Sequence, residues 1–208
     1  MSLLPQRVNR FVTTQKRVAI TFDDGPDPRF TQPLLELLAQ HNALATFFVR
    51  GSNVAAHPAL AGRMQAAGHE LGIHGWHHAS LRWSTRCQVQ QEIRRTRDAL
   101  ATCGVTKVDL FRPPYMRMGW GAVLEVAAQN LVLVGQSWKT HDYHAPSVEW
   151  LVKRVVSKTR PGDILIFHDG GGDRSLTLKA LEQILPQLVE QGICFCTIHQ
   201  MMAKKPTR

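Results

Sequence analysis

Two adjacent aspartates stand where an apolar segment ends. In the sequence RVAITFDDGP, residues 17–26, Asp23 and Asp24 follow a β-branched and aromatic run and precede a Gly-Pro turn. This pattern predicts a short buried strand that ends in two carboxylates. Successive side chains of extended backbone point to opposite sides, so one carboxylate can bind a metal while the other faces a second partner. A turn-capping Asp beside a solvated one is the alternative interpretation.

A second candidate for metal chemistry is the histidine pair in the HGWHH sequence. His74 and His78 are i and i+4, which puts two imidazoles on one face of a helical turn, and a loop can also bring them together. A catalytic zinc site takes three protein ligands and leaves a position for water. Gly75 stands where the HExxH zincin pattern has its Glu. The carboxylate must therefore come from elsewhere, and Asp23 or Asp24 is the natural supplier.

Two further segments carry polar groups after apolar runs. In RPPY, Arg112 could hold a carboxylate in a bidentate pair and keep it ionised. The prolines that follow leave the backbone N–H of Tyr115 as the next free donor. His168 follows a buried run and is a candidate general acid. A surface arginine before a turn and a core histidine are the structural alternatives for these residues.

The elements that would position these groups alternate along the chain. The predicted strands are 18–22, 45–49, 69–73, 108–111, 131–135, 163–167 and 193–198, and the predicted helices are 31–42, 58–67, 85–103, 121–129, 147–159 and 176–191. Such alternation indicates right-handed βαβ units and a mainly parallel sheet, either open or closed into a barrel. In both cases chemistry gathers at the carboxyl ends of the strands, and most of the candidate residues follow a strand.

Composition restricts the class of protein. The chain has 208 residues, of which 44% are hydrophobic and 20% charged, which is typical of one globular domain. No apolar run approaches the roughly 20 residues that cross a bilayer, and the first residues lack the apolar core of a secretory signal. We expect no membrane span in this chain, and either a cytoplasmic protein or an exported or anchored one whose signal is missing from the sequence.

Charge and cysteine usage bear on partners and compartment. The formal net charge is +9, yet Lys and Arg are scattered and no nucleic-acid-binding module is visible, so we expect no nucleic-acid partner. The cysteines are Cys87, Cys103, Cys194 and Cys196. They show no CxxC spacing, and we expect buried free thiols, which favours a reducing compartment.

The four motifs together resemble those of a known family. TFDDGP, HGWHH, RPPY and IFHD occur in the order found in NodB-homology polysaccharide deacetylases, carbohydrate esterase family 4, and the resemblance extends from residue 17 to about residue 198. It implies a single-domain α/β fold, a distorted (β/α)7 TIM-like barrel. The implied division is an N-terminal extension at 1–16, the NodB homology domain at 17–200 and a basic C-terminal tail at 201–208.

The resemblance also implies roles for individual residues. The expected metal ligands are Asp24, His74 and His78, with zinc the usual ion and cobalt or nickel as alternatives. The expected catalytic residues are Asp23 as general base, Arg112 holding Asp23 by a salt bridge, and His168 as the acid that protonates the leaving amine. The expected substrate and oxyanion contacts are Pro114, Tyr115 through its backbone N–H, Asp142 and Tyr143.

Two positions depart from the family's pattern. The family usually has Ser or Thr after the first histidine of the second motif, and Gly75 offers no side chain to brace that loop. Lys139 stands where the family often has an Asp that pairs with the acid histidine, with Asp142 and Tyr143 at the next two positions of that motif. A cation close to His168 would lower the pKa of its imidazole.

The leading hypothesis is a metal-dependent hydrolase that removes acetyl groups from N-acetylated, less often O-acetylated, sugars of a polysaccharide or oligosaccharide. The expected partner is an acetylated amino-sugar polymer or oligomer, and a monomer is the default state. A catalytically idle domain that binds glycan in the same groove, and an amide hydrolase acting on a small non-polymeric substrate, are the alternatives. Four tryptophans could stack on sugar rings if exposed, namely Trp76, Trp83, Trp120 and Trp138.

Overall fold

Parallel strands form the centre of the molecule in the computed structural model, which describes residues 4–203. The strands are β1 Arg7–Val8, β2 Arg17–Asp23, β3 Thr46–Val49, β4 Glu70–Ile73, β5 Leu110–Phe111, β6 Val132–Val134, β7 Ile164–His168 and β8 Cys194–Cys196. They form one sheet in the order β1-β6-β5-β4-β3-β2-β7, and β8 also pairs with β2. All these pairings are parallel. The expected tail from residue 204 onward lies outside the described residues.

Helices connect the strands and cover the outside of the sheet. They are α1 Thr31–Gln40, α2 Gly51–Ala56, α3 Pro58–Ala66, α4 Arg86–Thr102, α5 Trp120–Ala128, α6 Val148–Lys158, α7 Ser175–Glu190 and α8 Ile198–Met202, with short 3-10 turns at Pro114–Met116 and Asp142–His144. In the described part of the chain, none of these helices has the length and apolar character needed to cross a bilayer.

The sheet closes into a barrel at a seam between β6 and β7. Beyond β6, the backbone N–H of Ser137 donates to the carbonyl of Ile164 at 3.0 Å, and the N–H of Ile164 donates to Ser137 Oγ at 2.9 Å. Arg10, just after β1, forms a single antiparallel bridge with Asp163. This irregular closure, together with the strand order, confirms the expected distorted (β/α)7 barrel.

The pleat of β2 explains why its carboxylate faces the barrel interior. Val18, Ile20 and Phe22 belong to the hydrophobic cluster between sheet and helices, whereas Ala19 belongs to a second cluster inside the barrel. Side chains alternate along a strand, so Asp23 lies on the opposite side from Phe22, in the interior.

The predicted strands and helices are all present with slightly different ends, but three elements were missed. Strand β1 has only two residues and lies within the expected N-terminal extension, where it pairs in parallel with β6. Helix α2 has six residues and follows β3 directly. The strand predicted to reach residue 198 ends at Cys196, because Thr197 and Gln200 form a capping box that starts α8. The division into extension, domain and tail stays a prediction.

The expectation of buried free thiols is only partly correct. All four cysteines are free, but Cys87 and Cys194 are exposed and Cys103 is half-buried, which leaves Cys196 as the buried one. The strand β8 lies beside the edge of β2 near the amino ends of the strands, so the side chain of Cys194 faces solvent.

Replacing Phe47 tests the packing between the sheet and the helices. Phe47 is fully buried, its ring stacks on Phe22 at 5.1 Å between centroids, and it meets His69 edge-on at 5.3 Å. We expect Phe47→Ala to lower the free energy of unfolding by about 3–5 kcal/mol because it leaves a cavity in a close-packed core. Urea denaturation measures this loss of stability. The control is Val12→Ala at an exposed position, which should change the free energy of unfolding by about 0.5 kcal/mol or less. A loss below about 1 kcal/mol for Phe47→Ala would contradict this packing.

Candidate metal centre and active site

A buried ion pair lies at the centre of the site. The Arg112 guanidinium donates through Nη1 to Asp23 Oδ1 and to Thr21 Oγ1, both at 2.7 Å. Its other nitrogens donate to the carbonyls of Val134 at 3.3 Å and Gly135 at 2.9 Å. Arg112 therefore ties β2 to the end of β6 across the barrel, and its side chain has no exposed surface.

The charge of Arg112 keeps Asp23 ionised. Burial by itself raises the pKa of Asp23, but the guanidinium and the nearby His74 and His168 outweigh it and hold the pKa below its ordinary value. Burial lowers the pKa of Arg112, yet a guanidinium stays protonated at neutral pH. The two side chains are therefore a full ion pair.

Three candidate metal ligands converge beside this pair. One ligand atom from each of Asp24, His74 and His78 lies within 4.8 Å of the others. Asp24 Oδ1 is 3.3 Å from His78 Nε2 and 3.9 Å from His74 Nε2. That oxygen is buried and has no hydrogen-bond partner among the described residues. Buried polar atoms are almost always paired, so an orphaned carboxylate oxygen facing two imidazoles fits a bound cation.

The protonation of the two histidines also fits metal binding. His74 Nδ1 lies 2.7 Å from the carbonyl of Arg112. A carbonyl only accepts, so Nδ1 carries the proton and Nε2 is left free to coordinate, as in most protein metal sites. Burial lowers the pKa of His78, which favours the neutral imidazole that binds metals.

The backbone of the site is held in sparsely populated conformations. Asp24, His78 and Tyr115 have φ of 77°, 61° and 57°, a region that non-glycine residues rarely adopt. Such strain persists only where the surroundings over-determine the conformation, and it concentrates at functional sites. Behind Asp24, a Cβ on Gly171 would lie 2.8 Å from Asp24 Oδ2, so glycine is required for this close approach.

Helix α2, which the sequence analysis missed, supports the ligand loop. The backbone N–H groups of Gly51 and Ser52 at its start donate to the carbonyls of Gly75 and Trp76 at 2.9 and 3.1 Å. On the other side, Asn53 Nδ2 donates to the carbonyl of Asp24 at 2.9 Å. One short helix thus fixes both segments that carry the candidate ligands.

A carboxylate from α4 supports the same loop, at the place where Gly75 has no side chain to brace it. Glu92 Oε2 accepts the backbone N–H of Trp76 at 2.5 Å. Gly75 has φ of +83°, and a Cβ there would lie 3.1 Å from this oxygen. Glu92 therefore occupies the space beside Gly75 and holds the loop between His74 and His78.

The candidate acid His168 is paired with Asp142. Asp142 Oδ1 lies 2.9 Å from His168 Nδ1, and Oδ2 accepts the backbone N–H of the same histidine at 2.9 Å. Burial lowers the pKa of His168, but the hydrogen bond and charge of Asp142, helped by Asp23 and Asp24, outweigh it and raise the pKa to about 8. His168 is therefore mostly protonated at neutral pH.

One sequence expectation at this part of the site is corrected. Asp142 was expected to contact substrate, but it is buried, and its carboxylate is turned toward His168 and Thr177, which donates to it at 3.2 Å. A cation close to His168 would lower its pKa, but the pKa of His168 is raised, and Lys139, which the motif places at the position of the pairing Asp, lies exposed on the cavity wall. The partner of His168 thus comes from Asp142, at the second position of the motif and not at the first.

A cavity of about 450 Å³ opens over these groups. Seven of the expected site residues line it, namely Asp23, Asp24, His74, His78, Tyr115, Tyr143 and His168. Arg112 lies behind the cavity wall, and Pro114 is buried beneath it, with Pro113 facing the cavity in its place. Within the described chain, the backbone N–H of Tyr115 donates no hydrogen bond, and its ring meets His78 edge-on at 4.5 Å.

Comparison with protein families gives a match that covers more than half of the chain. A family model described as "Polysaccharide deacetylase" matches residues 11–131. A peptidoglycan-N-acetylglucosamine deacetylase of Bacillus cereus is 37% identical over 193 residues, which are 92% of this chain and 90% of that protein. A chitooligosaccharide deacetylase of Azorhizobium caulinodans is 33% identical over 206 residues, 92% of this chain and 97% of that protein.

Solved structures of similar proteins share the fold. A peptidoglycan N-acetylglucosamine deacetylase in complex with 4-naphthalen-1-yl-N-oxidanyl-benzamide superposes with a TM-score of 0.89 at 29% identity, over 98% of this chain and 96% of that one. A family 4 acetyl xylan esterase from Clostridium thermocellum in complex with a cobalt ion superposes with a TM-score of 0.83 at 31% identity, over 89% and 90%.

Removing the Asp142 carboxylate tests its control of His168. We expect Asp142→Asn to lower the pKa of His168 from about 8 by roughly one unit or more, because burial then acts without the opposing charge. An NMR titration of the imidazole resonances measures this, with the other histidines in the same spectrum as reference. If the pKa of His168 stays near its original value, Asp142 is not the cause of the shift.

Removing the Glu92 carboxylate tests the loop brace. We expect Glu92→Ala to weaken metal affinity about tenfold or more, because residues that orient metal ligands typically matter to that extent. Glu92→Gln keeps an acceptor oxygen and should retain most of the affinity. Competition against a fluorescent zinc chelator measures the zinc affinity of each variant, and Glu182→Ala at an exposed position of α7 is the control. Equal affinities for Glu92→Ala and the control would refute the brace.

Proposed function

The chain belongs to the polysaccharide deacetylase family, and we propose that it hydrolyses the acetamido group of an N-acetylated amino sugar in a polysaccharide or oligosaccharide. The observation that carries the proposal is the meeting of an ionised Asp23, three candidate metal ligands and a protonated His168 in one cavity. These are the groups that metal-assisted amide hydrolysis requires.

We further propose that Asp24, His74 and His78 hold zinc, with cobalt or nickel as alternatives. Two imidazoles and one carboxylate are typical ligands of these ions and leave a coordination position open. A divalent metal held by these residues would lower the pKa of water and polarise the acetyl carbonyl. The complex of an acetyl xylan esterase with cobalt supports a divalent ion in the family.

Asp23 is the proposed general base. One of its oxygens is held by Arg112, and the other, Oδ2, lies 3.8 Å from His74 Nε2 at the edge of the candidate ligand set. An ionised carboxylate in that position can accept the proton of an attacking water. The ion pair with Arg112 fixes the orientation of the carboxylate and leaves Oδ2 directed toward the candidate ligand set.

We propose that Tyr115 binds the oxyanion and that His168 protonates the leaving amine. The backbone N–H of Tyr115, which has no hydrogen-bond partner among residues 4–203, can donate to the oxyanion, and a donor fixed in advance favours the tetrahedral intermediate over the planar amide. His168 donates Nδ1–H to Asp142, and this hydrogen bond fixes the orientation of the imidazole ring. Nε2–H, which is not engaged by Asp142, is the proposed proton donor to the leaving amine.

The names of the relatives support a substrate class. The names of the two similar proteins specify peptidoglycan N-acetylglucosamine and chitooligosaccharide, which supports an N-acetylglucosamine-containing glycan as the substrate. The catalytically idle alternative is not favoured, because every group that the chemistry needs is present, and Glu92 supplies the brace that Gly75 lacks.

Metal removal and restoration test the proposed activity. We expect stripped protein to release no acetate, and zinc to restore release from chitooligosaccharides or peptidoglycan fragments more than from acetylxylan. Asp23→Asn should lower kcat about 100-fold or more, because it removes the base, while zinc remains bound. The exposed Asp98→Asn on α4 serves as the matched control. Metal-loaded wild-type protein that releases acetate from none of these substrates would contradict the proposal.

A further inference from the structure

Two strongly exposed tryptophans lie on neighbouring segments at one side of the barrel. Trp83, which precedes α4, is 85% exposed, and Trp120, the first residue of α5, is 75% exposed. Trp76 and Trp138, by contrast, are half-buried and pack against the hydrophobic core. A single exposed aromatic ring needs no explanation, but two such rings on adjoining segments are candidates for a binding surface.

The two segments are fixed to each other by backbone contacts. Leu81 and Met118 form an isolated parallel bridge, and the N–H of Gly119 donates to the carbonyl of Leu81 at 3.0 Å. A Cβ on Gly119 would lie 2.1 Å from the carbonyl oxygen of Arg82, so only glycine permits this approach. Leu81 itself is buried and anchors the contact in the core.

Side chains reinforce the same junction. Arg86 at the start of α4 forms an ion pair with the mostly buried Glu125 of α5 at 3.2 Å. Thr85 caps α4 through a capping box with Gln88. The two tryptophans therefore project from a rigid junction, which we call the tryptophan corner and define as Trp83 and Trp120 with the segments 81–86 and 118–121. A rigid surface loses little conformational entropy when a ligand binds it.

The tryptophan corner adjoins the wall of the cavity. Helices α4 and α5 follow β4 and β5, so both begin at the carboxyl-end edge of the barrel, where the candidate metal ligands lie. Tyr115, Met116 and Arg117 line the cavity, and the next residue along the chain, Met118, forms the bridge to Leu81. One continuous segment thus runs from the cavity wall into the tryptophan corner.

We propose that the tryptophan corner binds distal sugar rings of the same glycan whose acetylated unit occupies the cavity. The C–H face of a pyranose ring is apolar and packs on an indole, while the indole N–H can donate to a sugar hydroxyl. The Arg82 guanidinium lies 5.0 Å from the Trp83 ring and stacks on it, which holds that ring in place. The inference rests on the proposed glycan substrate and adds that the enzyme prefers chains that reach beyond the cavity.

Binding and turnover of short and long oligomers test this surface separately. Isothermal titration calorimetry with N-acetylglucosamine oligomers of two and six units should show that Trp83→Ala and Trp120→Ala each weaken binding of the hexamer about fivefold or more, the loss expected for truncating an interfacial tryptophan. Binding of the dimer should be unchanged. In acetate-release assays KM for the hexamer should rise by the same factor, while kcat stays constant.

Trp150→Ala is the matched control, because Trp150 is 38% exposed on α6, and this helix packs against α7. Hexamer affinity that is unchanged in both corner variants, or lowered equally in the control, overturns the proposed glycan binding by the tryptophan corner. Wild-type protein that binds the hexamer more tightly than the dimer but releases no acetate would instead refute the proposed activity and leave the binding surface supported.

Discussion

The buried ion pair between Asp23 and Arg112 is the interaction on which the site depends. Removing two charges from water costs several kcal/mol per ion, and an unpaired partner left in the interior is strongly destabilising. Here the guanidinium is satisfied by a carboxylate, a hydroxyl and two carbonyls. Arg112 also acts through its backbone, because its carbonyl accepts Nδ1–H of His74. One residue therefore fixes both the ionisation of Asp23 and the orientation of a candidate metal ligand.

The two adjacent aspartates differ because their surroundings differ. Asp23 lies inside the barrel against a permanent cation. Asp24 turns out of the strand at φ of 77° and presents to two imidazoles an oxygen that has no hydrogen-bond partner in the described part of the chain. Arg112 compensates the first carboxylate, and a bound cation would compensate the second. With a cation bound at Asp24, each of the two adjacent carboxylates would have its own counter-charge, which is what two like charges in a buried site require.

The sequence was sufficient to predict which motif residues meet, because strands of a parallel barrel deliver their following residues to one edge. It was insufficient where a role depends on contacts between distant segments. The pairing of Asp142 with His168 follows from a loop conformation, with His141 at φ of 64°, that motif spacing does not reveal. The bond from Glu92 to the loop of His74 spans sixteen positions between a helix and a loop, and no local pattern marks Glu92 among the other acidic residues of the chain. Short elements such as β1 and α2 were missed for the same reason, since their stability comes from what they contact.

We propose that one ion binds between Asp24, His74 and His78 while Asp23 keeps its bond to Arg112. The decisive experiment is anomalous diffraction at the zinc edge from crystals of the zinc-loaded protein. We expect a single peak about 2.0–2.2 Å from one Asp24 oxygen and from Nε2 of both histidines, with the Asp23–Arg112 pair intact. A peak coordinated by Asp23 with Arg112 displaced, or one located away from these three side chains, would contradict it.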